Sequence, residues 1–583
     1  MSVRPTRSRV LLLPAAWSLI LAAVMLGPAL APGFVLIRDM VFVPDLHLGR
    51  SDVMGLGPAL PRAVPSDAVV AAMDDLVAGM VLQKIILLAS LGGAGLGFAT
   101  MVGGGLVARL VAVSVAVWNP FVVERLAIGH WPVLVGYAAL PWLIVAGRRV
   151  ASGGAVPFWV PLVVLAGSLS ANAGIVSALA LLITACAGGV RRPAIALVGL
   201  IVTAANAPWI IAGVLAASDS LSTGGFHAFS TRGDGLPAVL TIVTGGGIWN
   251  GAAVPPSREG VLAWVAFGGA ITVAGLGARR WWAASRRAGE ATALTALWGI
   301  GVGLALLSAV APGLLASLSD QVPGLGLLRD GTRSLALAMP LTVGLISAGA
   351  AVLVERPQVL AGRISLVVAA ALAPVAVMPD AAWGLAGELR AVEYPHSWVE
   401  ARAVVDPAHG DAVVLPWAAF RAPAWNGGRP VQDPMPRFLR AETIGSSDLV
   451  VSDAVVAGED RRAQRVGRAL RLKTVSERTE ALLDLGIGWI VTDTAAGPAV
   501  PGIAPVVNGT VVLDRTDLTV VRVVGTPSAH LRSAGSQVAQ GVGWTAFAGL
   551  TVIGVLLALG RGGVRILTRR NQAARVRRLT GRS

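Results

Sequence analysis

Three short polar clusters stand between the apolar segments of this chain, and each holds residue types that can do chemistry. The first lies in the run Gly33-Phe-Val-Leu-Ile-Arg-Asp-Met-Val-Phe-Val-Pro-Asp-Leu-His47, where Asp39 and Asp45 sit among apolar neighbours. An ionisable group near a bilayer is costly unless it has a partner or a task. Partly desolvated, such a carboxylate has a raised pKa and can act as a general base. The competing reading pairs Asp39 with the adjacent Arg38 or makes it a helix cap. His47 offers a metal ligand or a proton shuttle, against the plainer reading of a solvated histidine. Asp74 and Asp75 read as an N-cap of the next apolar segment rather than as catalytic groups.

The second cluster is Trp118-Asn-Pro-Phe-Val-Val-Glu-Arg-Leu-Ala-Ile-Gly-His-Trp-Pro132, which places Glu124, Arg125 and His130 in a short connection. Interfacial packing with anchoring by Trp118, Trp131 and Trp142 is one account of it. The polar density favours a second role as a binding site. The third cluster is Leu327-Leu-Arg-Asp-Gly-Thr-Arg333. Arg329 and Arg333, four apart at a helix start, suit phosphate through charge-assisted hydrogen bonds, with Asp330 between them. The plainer reading is a solvated Arg-Asp pair worth little. Asn172, Asn206 and Trp209 stand near the ends of apolar segments, where they either line a cavity or pack.

The elements that must carry these residues are membrane helices. Of 583 residues 55% are hydrophobic and only 14% charged, with mean hydropathy +0.72. Apolar runs near the ~20 residues that span a bilayer recur along the chain. They fall at about 10–31, 78–98, 104–120, 132–147, 156–171, 173–190, 194–216, 260–278, 292–311, 334–354, 363–379 and 541–560, about twelve spans. The segment 104–120 is short, and 156–190 reads equally as one broken element. The first run follows Arg4, Arg7 and Arg9 and exceeds a signal-peptide h-region of about 7–15 residues, so a retained span is expected. Gly93 and Gly97 fit close helix packing rather than a nucleotide loop.

The signs of the charges orient the chain. Arg148-Arg149, Arg191-Arg192, Arg279-Arg280 with Arg286-Arg287, and Arg569-Arg570 fall in every second gap. With the basic side cytoplasmic, the termini lie inside, and 32–77, 121–131, 217–259, 312–333 and 380–540 lie outside. Between residues 99 and 379 only Glu290 and Glu355 are acids on the inner side. All three polar clusters then share the outer face. The net charge of +15 is explained by this pattern and by anionic lipid headgroups, not by nucleic acid. Cys186 is the single cysteine, which excludes an internal disulfide and a cysteine-based metal site.

After Met378 the composition becomes mixed. Residues 410–416 read as a buried strand, 479–486 as a helix leading into a strand at 489–492, and 509–513 with 518–524 as a hairpin. The expected fold is a polytopic α-helical membrane protein: a transmembrane domain at 1–379, an extracytoplasmic α/β domain at 380–540, and a last helix with a basic tail at 541–583. Trp417, Trp425 and Trp489 are expected in the outer domain's core.

The run Asn119-Pro-Phe-Val-Val-Glu-Arg-Leu…Gly-His-Trp…Gly-Tyr-Ala-Ala-Leu-Pro-Trp142 and the run Leu327 to Arg333 are similar to stretches of actinobacterial members of the GT-C superfamily of integral-membrane glycosyltransferases. Among these are the mycobacterial arabinofuranosyltransferases. The resemblance covers residues 10–379 broadly, and 380–540 in type only. It implies a polyprenyl-phosphate sugar donor, with arabinofuranose or mannose transferred to a cell-envelope glycan or glycolipid outside the bacterial cytoplasmic membrane. It also implies an acidic base in the first outer loop, Asp39 by position and Asp45 second. Arg329, Arg333 and Arg125 then hold the donor phosphate, and Glu124, His130, His47 and Asp330 contact substrate. The acids lack the tight Asp-x-Asp spacing of some members, so a divalent cation is left open as a cofactor. Two other classes compete. A lipid or polysaccharide transporter should carry mid-membrane ionisable groups or inverted repeats, and neither stands out here. A non-catalytic envelope assembly protein would keep the same clusters without turnover.

Overall fold

The computed structural model describes residues 9–57, 61–188, 192–216, 225–285, 289–322, 324–451, 454–458, 460–497, 502–503, 506–529 and 533–580. Arg4, Arg7, Arg191, Arg286 and Arg287, used above for orientation, lie outside them.

Every expected span contains helix, but fewer helices than twelve are long enough to cross a bilayer. Among the described residues nine qualify, or ten if the run Gly331–Leu337 and Met339–Glu355, bent by 48°, counts as one. The difference has local causes. The segment expected at 156–171 is helical only over Val160–Ala166, and Ser170 then caps a separate helix, Ala171–Cys186, by accepting from Ala173 N. The short segment at 104–120 is extended instead. Leu106–Val117 is followed by Pro120–Ile128, which restarts the helix with Pro120 in the first turn and Asn119 Oδ1 accepting from Val122 N at 3.0 Å. Glu124 and Arg125 therefore stand on a helix, not in a loop.

Small residues set the closest helix approaches. A β-carbon at Gly97 would lie 2.6 Å from Pro141 and Trp142 of the helix Trp131–Ala151, so the glycine reading at this position holds. At one end of the bundle the two acids expected on the inner side meet its arginines: Arg148 pairs with Glu290 at 2.5 Å, and Arg280 with Glu355 at 2.7 Å. At the other end the five expected outer segments touch one another. Arg38 reaches Ala252, Glu124 reaches Gly247, Arg125 reaches Asp330, and Ser257 reaches Asp380.

Residues 411–523 build a five-stranded mixed sheet in the order Gly509–Asp514, Leu518–Val523, Ile487–Asp493, Asp411–Leu415, Thr443–Ile444. Asp411–Leu415 runs parallel to both of its neighbours, and the hairpin adds on antiparallel to the central strand Ile487–Asp493. This is the strand-helix-strand step and hairpin read from the sequence. Alternation along the strands splits their side chains between two cores. Val413, Leu415 and Ile490 pack on the helices Arg461–Ala469 and Val475–Asp484, while Ala412, Val414, Trp489 and Val491 join the main core that continues into the bundle. Trp417 and Trp489 are buried, and Trp425 packs on the same core.

The sheet region and the first loop are interlocked. Phe34–Val35 pairs antiparallel with Ala391–Val392, Arg38 N donates to Pro430 O at 2.7 Å, and Gln432 N donates back to Arg38 O at 2.7 Å. Asp74 is not an N-cap: it ends the helix Ser66–Asp74 and accepts from Leu46 N at 2.8 Å.

Candidate active site

Asp39 sits on a tight turn that several segments hold. Ile37 and Met40 exchange backbone hydrogen bonds, and Asp39 N donates to Ile128 O at 3.0 Å. The turn lies directly on Gly129, where a β-carbon would collide with Met40 N. At φ +88° this position also favours glycine conformationally. Arg38 takes a positive φ of 45°, and its guanidinium is buried as a strut, donating to Ala127 O at 2.7 Å and Ala252 O at 2.6 Å. The competing reading, in which Asp39 pairs with Arg38, is not found: Arg38 spends its donors on carbonyls.

His130 links Asp39 to the third cluster. Its Nε2 lies 2.8 Å from Asp39 Oδ2, and its Nδ1 lies 3.1 Å from Arg125 Nη1. Arginine can only donate, so Nδ1 accepts, which puts the ring hydrogen on Nε2 facing Asp39. Burial, then the charge of Arg333, lowers the His130 pKa, so the ring is neutral at physiological pH. Burial pushes the Asp39 carboxyl up, but the hydrogen bond and positive edge of His130, with Arg333 and Arg62, more than reverse this and lower it. The raised pKa expected from sequence is thus not found, because the desolvated acid has acquired donors.

Behind His130 lies a fully buried charge cluster. Arg125 Nη1 donates to Asp330 Oδ2 at 2.9 Å and Nη2 to Thr332 Oγ1 at 2.5 Å, while Thr332 donates to Asp330 Oδ1 at 2.5 Å. Arg333 Nε donates to Asp330 Oδ2 at 3.0 Å. With the Asn172 amide oriented by its surroundings, its oxygen accepts from Arg333 Nη1 at 2.7 Å and its nitrogen donates to Leu327 O at 3.2 Å. Burial raises the Asp330 pKa, and Arg125 and Arg333 overcome this and hold it well below the usual carboxylate range.

Exposure separates the residues that can meet a ligand from those that cannot. The side chains of Asp39 and Arg333 are 37% and 29% exposed, against 9% for His130, 3% for Asp330 and 0% for Arg125. Among the described residues no ion pair joins Asp39 to Arg333, so a carboxylate and a guanidinium remain available side by side. Arg333, Asp330 and Asn172 line a narrow cleft of about 40 Å³ together with Ile175, Val176, Leu179, Leu304, Leu327, Leu328 and Leu337.

Several expected roles change. Arg125 cannot hold a donor phosphate: it is enclosed and committed to Asp330, Thr332 and His130. Asp330 is likewise enclosed, and His130 faces Asp39 rather than a substrate. Glu124 is buried and accepts from Gly247 N and Ile248 N, both at 3.1 Å, which fastens the loop after the helix Ala238–Val243. Asp45 is drawn away by Arg402 at 2.5 Å. His47 is exposed, and no contact joins it to the cluster. Arg329 lies with its guanidinium 4.5 Å from the centre of the Phe229 ring. Thr332 and the strut Arg38 escaped the sequence reading; a hydroxyl at ordinary spacing carries no signal, and Arg38 was weighed only as a partner for its neighbour.

The surroundings of Asp39 do not suit a divalent cation. Its neighbours are His130 and Arg333, and the nearby carboxylate of Asp330 has its oxygens taken by cationic and hydroxyl donors. Among the described residues the group of acids with cation-compatible spacing is Asp45, Asp74 and Asp75, at the Arg402 end of the first loop.

No protein-family model matches the chain, and no curated protein matches it in sequence. Solved structures do match in shape. The cryo-EM structure of the arabinofuranosyltransferase AftD from Mycobacteria aligns over 90% of this chain with a TM-score of 0.55 and 16% identity. A mutant of the same protein aligns over 90% with a TM-score of 0.53 and 16% identity. This chain spans 40% and 42% of those chains, about two-fifths of their length. At this identity the likeness is one of fold, and it fits the polytopic helical membrane architecture expected from the sequence.

Proposed function

We propose that the protein is a GT-C glycosyltransferase that takes a sugar from a polyprenyl-phosphate donor and passes it to a hydroxyl of a cell-envelope glycan or glycolipid. The observation that carries this reading is that the accessible Asp39 and Arg333 flank His130 without pairing with each other, with Arg333 also lining the leucine-walled cleft. The isoprenoid chain runs along the apolar wall beside this cleft, next to the phosphate. Arg333 binds the phosphate, and Arg329 adds charge from the same segment. The acceptor hydroxyl forms the new bond to the anomeric carbon as the bond from that carbon to the phosphate oxygen breaks. The hydroxyl proton passes to Asp39 Oδ, and the electron pair leaves with the phosphate, whose growing charge Arg333 stabilises. The low pKa of Asp39 suits a base that receives a proton late, as the acceptor oxygen becomes positive in bonding. The outer segments are assigned to the extracytoplasmic side and the Arg148, Arg280 and Glu355 end to the cytoplasm. Arabinofuranose is the first sugar to test, since the chain shares its fold with an arabinofuranosyltransferase, and mannose the second. Membranes holding the protein, given radiolabelled polyprenyl-phosphate arabinose and a glycan acceptor, should transfer label. Asp39→Asn should reduce transfer at least 100-fold with donor binding kept. Unchanged transfer by this variant would remove Asp39 as the base.

A further inference from the structure

Residues 461–473, Arg-Arg-Ala-Gln-Arg-Val-Gly-Arg-Ala-Leu-Arg-Leu-Lys, hold six basic residues and no acid. The helix Arg461–Ala469 sorts them. Its inner face buries Arg462, Ala463, Val466, Gly467 and Ala469. Arg462 there is neutralised by Asp411 at 2.6 Å and also donates to Leu485 O at 2.6 Å. Arg461, Arg465 and Arg468, spaced i, i+4, i+7, form one exposed row. None of the three has an ion pair or side-chain hydrogen bond among the described residues, and Lys473, just past the helix end, is also exposed. Like charges one turn apart destabilise a helix, so folding alone does not favour this row. The nearest helix-end acid, Asp460, has its side chain engaged by the backbone N–H groups of Arg462 and Ala463.

The row's position selects its partner. The helix packs on Val413, Leu415 and Ile490, the sheet face opposite the one that continues into the membrane bundle. It therefore lies on the side of the sheet turned away from the helical bundle. We infer that Arg461, Arg465, Arg468 and Lys473 form a docking face for an extended polyanion, a polymer with repeated phosphate or carboxylate charges lying beyond the membrane surface. Three to four charges at helical spacing track a line of anions, and the attraction should fall steeply with ionic strength.

The test uses the full chain in nanodiscs of neutral lipid with long-chain inorganic polyphosphate as the probe. Hydrogen exchange should slow over 461–473 on adding polyphosphate, and this protection should vanish at high salt. In R461E/R465E/R468E it should be lost, with transferase activity on small acceptors and thermal unfolding unchanged, since all three side chains are exposed and lie outside the proposed active site. Nanodiscs with anionic lipid but no polyphosphate should give no protection there; protection in that arm would overturn the inference in favour of a lipid surface. Absence of protection over 461–473 with polyphosphate, or protection surviving in the triple variant, would also overturn it. Transfer by the Asp39→Asn variant is a separate readout, so a failure of the proposed reaction leaves this test intact.

Discussion

Asp330 is the residue on which the buried half of the site turns, and its removal gives the most quantitative prediction. It is 3% exposed and faces the fully enclosed Arg125 at 2.9 Å. At an effective dielectric of about 20, that separation corresponds to roughly 6 kcal/mol of attraction before desolvation is subtracted. Deleting one partner of such a pair leaves a buried charge uncompensated and costs about 3–5 kcal/mol, whereas deleting both is often close to neutral. Asp330→Asn and Arg125→Met should therefore each destabilise by about that amount, and the double variant should recover most of one loss. Thr332→Val removes two hydrogen bonds to charged groups, one from Arg125 and one to Asp330, at about 1.5–3 kcal/mol each. The assay is reversible denaturant unfolding in mixed micelles, read as a double-mutant cycle. Losses that add to within about 0.5 kcal/mol would show the two residues to be independent, and the account of the cluster as a charge-paired support for His130 would fail.

Asp45→Asn should leave sugar transfer within about 3-fold of wild type, because Asp45 is tied to Arg402 rather than to the cluster; loss comparable to that of Asp39→Asn in the same radiolabel assay would reinstate it as the base. Arg333→Ala should raise the KM for the lipid-linked donor and lower kcat, by about 2–4 kcal/mol of transition-state stabilisation together, measured as kcat/KM with the acceptor held saturating; an unchanged kcat/KM would place the phosphate elsewhere. Glu442 is pushed up to about 7 by burial, then by Asp411 and Asp52. A carboxyl raised above its unfolded value favours the fold while protonated, so this contribution is present below about pH 4.5 and is lost as pH rises through about 7. Glu442→Gln should therefore flatten the stability loss between about pH 4.5 and 7, seen by thermal unfolding across that range, and an unaltered pH slope would refute the assignment.

What could be read from the sequence, and what could not, follows from the range of the forces involved. Hydropathy and arginine placement act locally along the chain, so the apolar segments and the strand pattern at 411–523 were legible. The clusters around Asp39, His130 and Arg333 were also legible, as polar residues in places where polarity is costly. Their roles were not. Arg125 reads as a phosphate ligand until Asp330, 205 residues on, is seen to enclose it. Asp45 reads as a second base until Arg402, 357 residues away, takes it. Desolvation alone predicts a raised pKa for Asp39, and only the fold supplies the donors that reverse it.

The depth order of the residues explains why a site of this size needs three buried ones, His130, Asp330 and Arg125. An exposed aspartate and arginine left to themselves would close on each other, and the pair would offer neither a free base nor a free cation. Here each is restrained from behind. Arg333 has Nε on Asp330 and Nη1 on Asn172, and Asp39 has Oδ2 on His130, on a turn held by Arg38, Gly129 and Pro430. The buried Arg125 joins the two restraints, since it binds Asp330 through the same nitrogen that donates to His130. The inner cluster therefore acts through distance rather than contact: it keeps two opposite charges apart by fixing what each is bonded to. Because the turn bearing Asp39 is pinned in part by residues 430–432, the sheet region helps set that separation, and Arg38→Met should disturb transfer without touching the cleft.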